Sequence, residues 1–242
     1  MNTQYTYFLI HLASIAGPLA LSFDKKVQFY KKWKYVFPAM ILPGLFFLVW
    51  DAWFTHQGVW SFSIHHTTGL KLGNLPIEEV LFFFTVPYCC LFIYECISCY
   101  FPVTHRKSGA DWLLGGMGIV LFVIGCFTLD KSYTSYTGIL NGLFIASLFA
   151  FQKYFARFRA LSFLIAYAII LIPFLMVNGW LTAIPVVLYN NAENSGIRIF
   201  SFLSYPFNNI PAEDIFYGML LILMNVACYE KLRGAPSDNI SK

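Results

Sequence analysis

Two short blocks place adjacent carboxylates just behind a proline: Pro76-Ile77-Glu78-Glu79 and Pro211-Ala212-Glu213-Asp214. Carboxylic groups held together away from water cannot all ionise, so such a site keeps one acid protonated beside another that is charged. A set of this kind can give a proton to one atom, stabilise the cation that results, and remove a different proton afterwards. Aromatic faces stabilise a carbocation in the same way. The chemistry within reach is acid-initiated cyclisation or hydration of isoprenoid double bonds, which needs neither a redox change nor a metal ion. Glu78, Glu79, Glu213 and Asp214 are the candidate catalytic acids.

The elements that carry these acids are repeated. Leu75 to Glu95 matches Ile210 to Glu230 at an offset of 135 positions, pairing Pro76 with Pro211, Glu78 with Glu213, Glu79 with Asp214, and Tyr94-Glu95 with Tyr229-Glu230. The preceding stretch matches at an offset of 127, pairing Asp51 with Asn178, Trp53 with Trp180, Thr55 with Thr182, and Gly69-Leu70-Lys71-Leu72 with Gly196-Ile197-Arg198-Ile199. The difference is an insertion around Phe200 to Phe207. Chance likeness between apolar helices shares leucines; a shared Pro-x-Glu-acid costs too much near lipid to recur without a common task. In each block the proline suits a first helical turn, and the acids then meet the favourable end of the helix dipole. Neighbours on a helix point about 100 degrees apart. At least one acid of each pair is therefore expected to face the bundle, Glu78 and Glu213 ahead of the others.

The solvent of these helices is lipid. In 242 residues, 58% are hydrophobic, 19% aromatic and only 12% charged, and the mean hydropathy is +0.63. Such a chain is too apolar for a soluble domain of this size. Apolar stretches near 5–22, 35–54, 77–100, 112–129, 137–152, 161–180 and 212–230 have the length that crosses a bilayer. The expected fold is an all-α membrane protein of about seven transmembrane helices, in two parallel three-helix repeats plus a connecting helix. Residues 1–105 hold helices 1 to 3, and 106–242 hold connecting helix 4 and helices 5 to 7. The first stretch lacks a basic leader and a small-residue cleavage site, so it reads as a retained helix.

The net charge of +4 marks membrane sides and does not call for a nucleic-acid partner. With the N-terminus outside, all but three of the 16 Lys and Arg fall on the cytoplasmic side, including Arg106, Lys107 and Lys242. Lys71, Lys131 and Arg198 are the three exceptions, in agreement with the positive-inside rule. This orientation brings Asp51, Glu78, Glu79, Asn178, Glu213 and Asp214 to one depth near the outer boundary. Trp50, Trp53, Trp60, Trp180, Tyr189 and Tyr217 surround them, and the tryptophans read as an aromatic belt. Glu95 and Glu230 fall at the cytoplasmic edge as interfacial residues. Cys96 and Cys99 form a CxxC spacing without a second pair, and His65-His66 sits in a loop. Neither pattern calls for a metal.

Asp51-Ala52-Trp53, Gly58-Val59-Trp60, Leu75-Pro76-Ile77-Glu78-Glu79, Pro87-Tyr88-Cys89, Val177-Asn178-Gly179, Tyr189-Asn190, Gly196-Ile197-Arg198-Ile199 and Pro211-Ala212-Glu213-Asp214-Ile215-Phe216-Tyr217 together resemble the two fused halves of the membrane-integral lycopene cyclases. The resemblance implies cyclisation of the ends of lycopene to β-ionone rings inside the bilayer, with no flavin and no metal. The glycine-rich flavin fingerprint is not found in the sequence. It also implies Glu78, Glu79, Glu213 and Asp214 as the acids, with Asp51, Trp53, Asn178, Arg198 and Tyr217 lining the site. The expected setting is the plasma membrane, near other carotenoid-pathway enzymes. A carotenoid hydratase or another membrane terpene cyclase would use the same acids, whereas a small transporter would place them midway through the membrane. A retinal protein would need a lysine in the last helix before Glu230, and none is present there.

Overall fold

The computed structural model describes residues 4–102, 108–199 and 209–234. The insertion at Phe200 to Phe207 and the basic residues Arg106, Lys107 and Lys242 lie outside them. Among the described residues seven α-helices follow one another: α1 Thr6–Leu21, α2 Trp33–Gln57, α3 Ile77–Tyr100, α4 Ser108–Phe127, α5 Ser132–Ala150, α6 Ala160–Ala183 and α7 Glu213–Leu232. Four short strands join them at one end: β1 Trp60–Phe62, β2 Lys71–Leu72, β3 Leu75–Pro76 and β4 Val187–Tyr189.

The fold is that of an all-α membrane protein. Among the described residues, five helices are long and apolar enough to cross a membrane: α2, α3, α4, α6 and α7. α1 is apolar but has 16 residues. α5 begins at Ser132, five residues before the apolar stretch predicted from 137, because its first two turns, Ser132-Tyr133-Thr134-Ser135-Tyr136-Thr137, are helical although polar. Tyr133, Ser135 and Thr137 of those turns are buried, and packing overrides their modest helix propensity.

The helices pack by a two-fold rule. α1 lies on α3 as α5 lies on α7, α2 lies on α7 as α6 lies on α3, and α3 meets α7 at the centre. The loops obey the same rule in detail. β1 pairs antiparallel with β4, Ser61 facing Leu188, and those residues are repeat equivalents, so the pseudo-two-fold axis passes through this pair. Lys71 pairs with Pro76, as Arg198 bridges to Pro211. Ile77 N donates to Leu70 O at 2.9 Å, as Ala212 N donates to Ile197 O at 3.0 Å. α2 is closed by Gly58, whose φ of 73° allows its N–H to cap Phe54 and Thr55 before the chain turns into β1.

α4 stands outside this scheme and packs chiefly on α5. A Cβ at Gly138 would come within 2.5 Å of Leu121 O, and one at Gly142 within 2.5 Å of Phe122 Cβ. The small-xxx-small spacing is what lets the two helices approach so closely. The opposite face of α4, with Trp112, Ile119 and Phe127, is exposed to lipid.

Candidate active site

Glu79 and Asp214 enter one cavity from the first turns of α3 and α7, where the helix dipoles favour their charge. Both are buried. Glu79 Oε2 accepts a hydrogen bond from the Tyr7 hydroxyl at 2.5 Å. Asp214 Oδ1 accepts one from Tyr133 at 2.8 Å, and its Oδ2 accepts one from Tyr189 at 3.0 Å. Tyr7 and Tyr133 open α1 and α5 at equivalent places, so each half supplies an acid and the phenol that positions it. Burial, and after it the nearby Asp214 charge, raises the Tyr189 hydroxyl well above the usual phenol range, so it stays a donor.

The other acid of each pair faces backward. Glu78 Oε1 accepts from Thr68 N at 2.7 Å. Glu213 Oε1 accepts from Ser195 N at 2.7 Å and from Thr134 Oγ1 at 2.6 Å. Thr68 and Ser195 are repeat equivalents, so Glu78 and Glu213 tie the same loop to the same helix turn in both halves. Both are buried, yet neither lines the cavity. The 100-degree step between neighbours divides each pair into a cavity acid and a loop acid.

Asp51 of α2 and its equivalent Asn178 of α6 also line the cavity. Within this cavity the Trp60 indole N–H is the donor that neighbours the Asp51 carboxylate, although the pair falls short of full hydrogen-bond geometry. The aromatic walls are dense: Trp60 stands edge-on to Tyr133 at 5.2 Å and to Tyr217 at 5.9 Å, and Tyr133 stacks on Tyr189 at 6.0 Å. Phe82, Phe174 and Leu181 complete the apolar side. The enclosed space is only about 50 Å³.

Of the lining residues predicted from sequence, Asp51, Asn178 and Tyr217 are at the cavity. Trp53 and Arg198 are not. Trp53 is 40% exposed and packs on Tyr136 on the lipid side. Arg198 hydrogen-bonds Asn191 in the loop between α6 and α7. Trp60 and Trp50, expected in an interfacial belt, are buried at 5% exposure: the β1–β4 pairing folds Trp60 inward over the bundle, and Trp50 packs from α2 on Phe47 and Tyr217. Tyr7 and Tyr133 lie in helices whose sequences carry no motif like Pro-x-Glu-acid to mark them as equivalent. Extending the repeat to α1 and α5 pairs these two tyrosines.

At the opposite end, Glu95 and Glu230 depart from their expected interfacial place. Both are buried, and they are crossed between the halves: Tyr229 of α7 donates to Glu95 Oε1 at 2.7 Å, and Tyr94 of α3 donates to Glu230 Oε1 at 3.1 Å. Lys32 and Arg233 pair with Glu95, and Arg157 pairs with Glu230. The acids are drawn inward because cations from three segments converge on them.

The chain matches the lycopene cyclase family in two segments, residues 4–97 and 130–232, which bracket the two sets of three helices. It is 30% identical over 100 residues to a bifunctional lycopene cyclase/phytoene synthase of Pyrenophora tritici-repentis, covering 39% of this chain and 16% of that protein. A bifunctional lycopene cyclase/phytoene synthase of Phaeosphaeria nodorum is 24% identical over 103 residues, covering 38% of this chain and 18% of that protein. The matched stretch thus spans under a fifth of each relative. No solved structure matches the chain.

Proposed function

The chain belongs to the lycopene cyclase family, and from that premise we propose that it closes the open ψ ends of lycopene into β-ionone rings by proton-initiated cyclisation. The observation that carries the reading is the convergence of Glu79, Asp51 and Asp214 from both halves on one aromatic-walled cavity. A carboxyl on the Asp51–Glu79 side protonates C2 of the terminal double bond, leaving a cation at C1. The C5=C6 double bond attacks C1, which forms the ring bond and moves the cation to C5. Asp214 removes the proton from C6, and the C5=C6 double bond re-forms. One proton enters and one leaves, so the product is an isomer of the substrate and no oxidant is consumed.

Asp214 is assigned the base because phenols donate to both of its oxygens, and charge-assisted hydrogen bonds of that kind stabilise a carboxylate. The faces of Trp60, Tyr133 and Tyr217 stabilise the intermediate cations. Glu78 and Glu213 hold the loops that roof the cavity. The division at residues 1–105 and 106–242, the plasma membrane, the outside N-terminus and association with other carotenoid enzymes belong to the same proposal. Expression in a lycopene-accumulating bacterial host, with pigments resolved by chromatography and mass, tests it. A cyclic product of unchanged mass is expected. A gain of water would replace the cyclase by a hydratase, and unchanged lycopene with the protein inserted in the membrane would overturn the reading.

A further inference from the structure

A second cavity of about 210 Å³ lies against the acid cavity, between α1, α3 and α6. It is lined by Val86, Ile170 and Val177 and reaches Pro173, which is exposed on the lipid-facing surface. Its polar side chains are turned to backbone carbonyls: Ser14 Oγ donates to Ile10 O at 2.7 Å, and Cys89 Sγ donates to Ser14 O at 3.5 Å. The surface left is hydrocarbon. Phe82 and Phe174 line both this cavity and the acid cavity, so these two rings form the partition between them.

The repeat would place an equivalent space on the other side of the two-fold axis, and there packed rings close it off from the acids. The equivalents of Phe82, Phe174 and Val177 are Tyr217, Phe47 and Trp50, which pack together: Phe47 to Tyr217 at 5.0 Å, Trp50 to Tyr217 at 5.0 Å and Phe47 to Trp50 at 5.4 Å. Outside them lies a lipid-facing groove lined by Leu42, Leu45 and Leu140 that shares no residue with the acid cavity.

We propose that the α1–α3–α6 cavity seats the hydrocarbon chain behind the reacting end of a linear polyene, and that the protein therefore processes one end per binding event. The proposal rests on the cyclase reading. A polyene has no polar group to be recognised by, so its binding must come from burial in an apolar space that leads from lipid to the acids. The cavity between α1, α3 and α6 is such a space. A chain approaching from the α2–α5 side meets three packed rings. With the acid cavity at about 50 Å³, Phe82 and Phe174 must swing aside for the end group to reach Glu79 and Asp214.

The test compares the wild-type chain with Val177→Phe and Val86→Phe, which fill the cavity from α6 and α3, and with Leu45→Phe in the opposite groove. All are checked for membrane insertion and thermal unfolding. Two readouts are taken in lycopene-containing vesicles: quenching of tryptophan fluorescence by lycopene, for binding, and ring formation, for turnover. Val177→Phe and Val86→Phe are expected to lose at least tenfold in both, while Leu45→Phe stays within twofold. Folded cavity variants that bind and cyclise as the wild type does would overturn the cavity assignment and leave the cyclase reading standing. Equal losses in Leu45→Phe would overturn its one-sidedness. A wild-type chain that binds lycopene without forming rings would overturn the cyclase reading, and quenching alone would then decide the cavity; no quenching and no rings would overturn both.

Discussion

Glu79 and Asp214 are separated from Glu78 and Glu213 by what their oxygens touch, and that difference is measurable. Glu79→Gln and Asp214→Asn keep the shape and remove the proton chemistry, so each is expected to lower ring formation roughly 10²- to 10⁴-fold, the range for a general acid or base. The pigment yield per inserted protein measures it. Glu78→Gln and Glu213→Gln keep an acceptor for Thr68 N and Ser195 N. They are expected to lose less than tenfold, so a loss as deep as that of Glu79→Gln would return the catalytic role to Glu78. Tyr133→Phe removes one donor to Asp214 while Tyr189 keeps the other. A hydrogen bond to a charged group contributes about 1.5–3 kcal/mol, which corresponds to roughly a 10- to 100-fold lower rate if the bond matters fully in the transition state. The Tyr189 hydroxyl is raised by burial, so it still donates at pH values near 10, where a free phenol ionises.

Two helix pairs make the contribution of packing and of buried charge to stability measurable. Between α4 and α5, Gly142→Val drives a side chain into Phe122 and Gly118 O. Overpacking of this kind costs about 1–3 kcal/mol, and thermal unfolding in detergent should show a lowered midpoint for a variant whose acids are untouched. Between α3 and α7, Glu95→Ala removes the carboxylate partner of Lys32 and the Tyr229 hydroxyl and leaves Arg233 only its longer contact to Glu230. Breaking a buried ion pair costs roughly 3–5 kcal/mol, and the loss here falls below that range because the side chains of Lys32 and Arg233 are 26% and 25% exposed. Glu95→Ala is expected to destabilise more than Glu230→Ala, whose Arg157 and Arg233 contacts are longer, at 3.2 and 3.5 Å.

Across the whole molecule the two halves are alike in backbone and unlike in what they bring to the cavity. Asp51 corresponds to Asn178, Phe62 to Tyr189 and Phe82 to Tyr217 as repeat equivalents, and all six line it. Under the proposed reaction, a single asymmetric site with one hydrocarbon channel would make a lycopene molecule leave before its second end can react. Labelled lycopene followed by an excess of unlabelled lycopene should therefore leave label in a free one-ring product. Label that passes to the two-ring product undiluted would mean that both ends react without release.

The membrane class, the seven helices, the repeat and the acid pairs were legible in the sequence, because each depends on local features: hydropathy over a helix length, and the recurrence of Pro-x-Glu-acid at matched positions. The bridges Lys71–Pro76 and Arg198–Pro211 recur at the same offsets of 127 and 135, although the sequence alone does not show that these residues pair. Which acid of each pair looks inward was not legible, since it depends on how α3 and α7 are rotated against each other and on the loops that reach back to Glu78 and Glu213. The same holds for Trp60, carried inward by pairing with a strand more than a hundred residues away, and for Glu95 and Glu230, buried by cations from other segments. The one-sided cavity is the clearest case of tertiary control. A valine in place of a tryptophan acquires meaning only when the two-fold axis sets Val177 and Trp50 at equivalent places and the space beside one of them is left open.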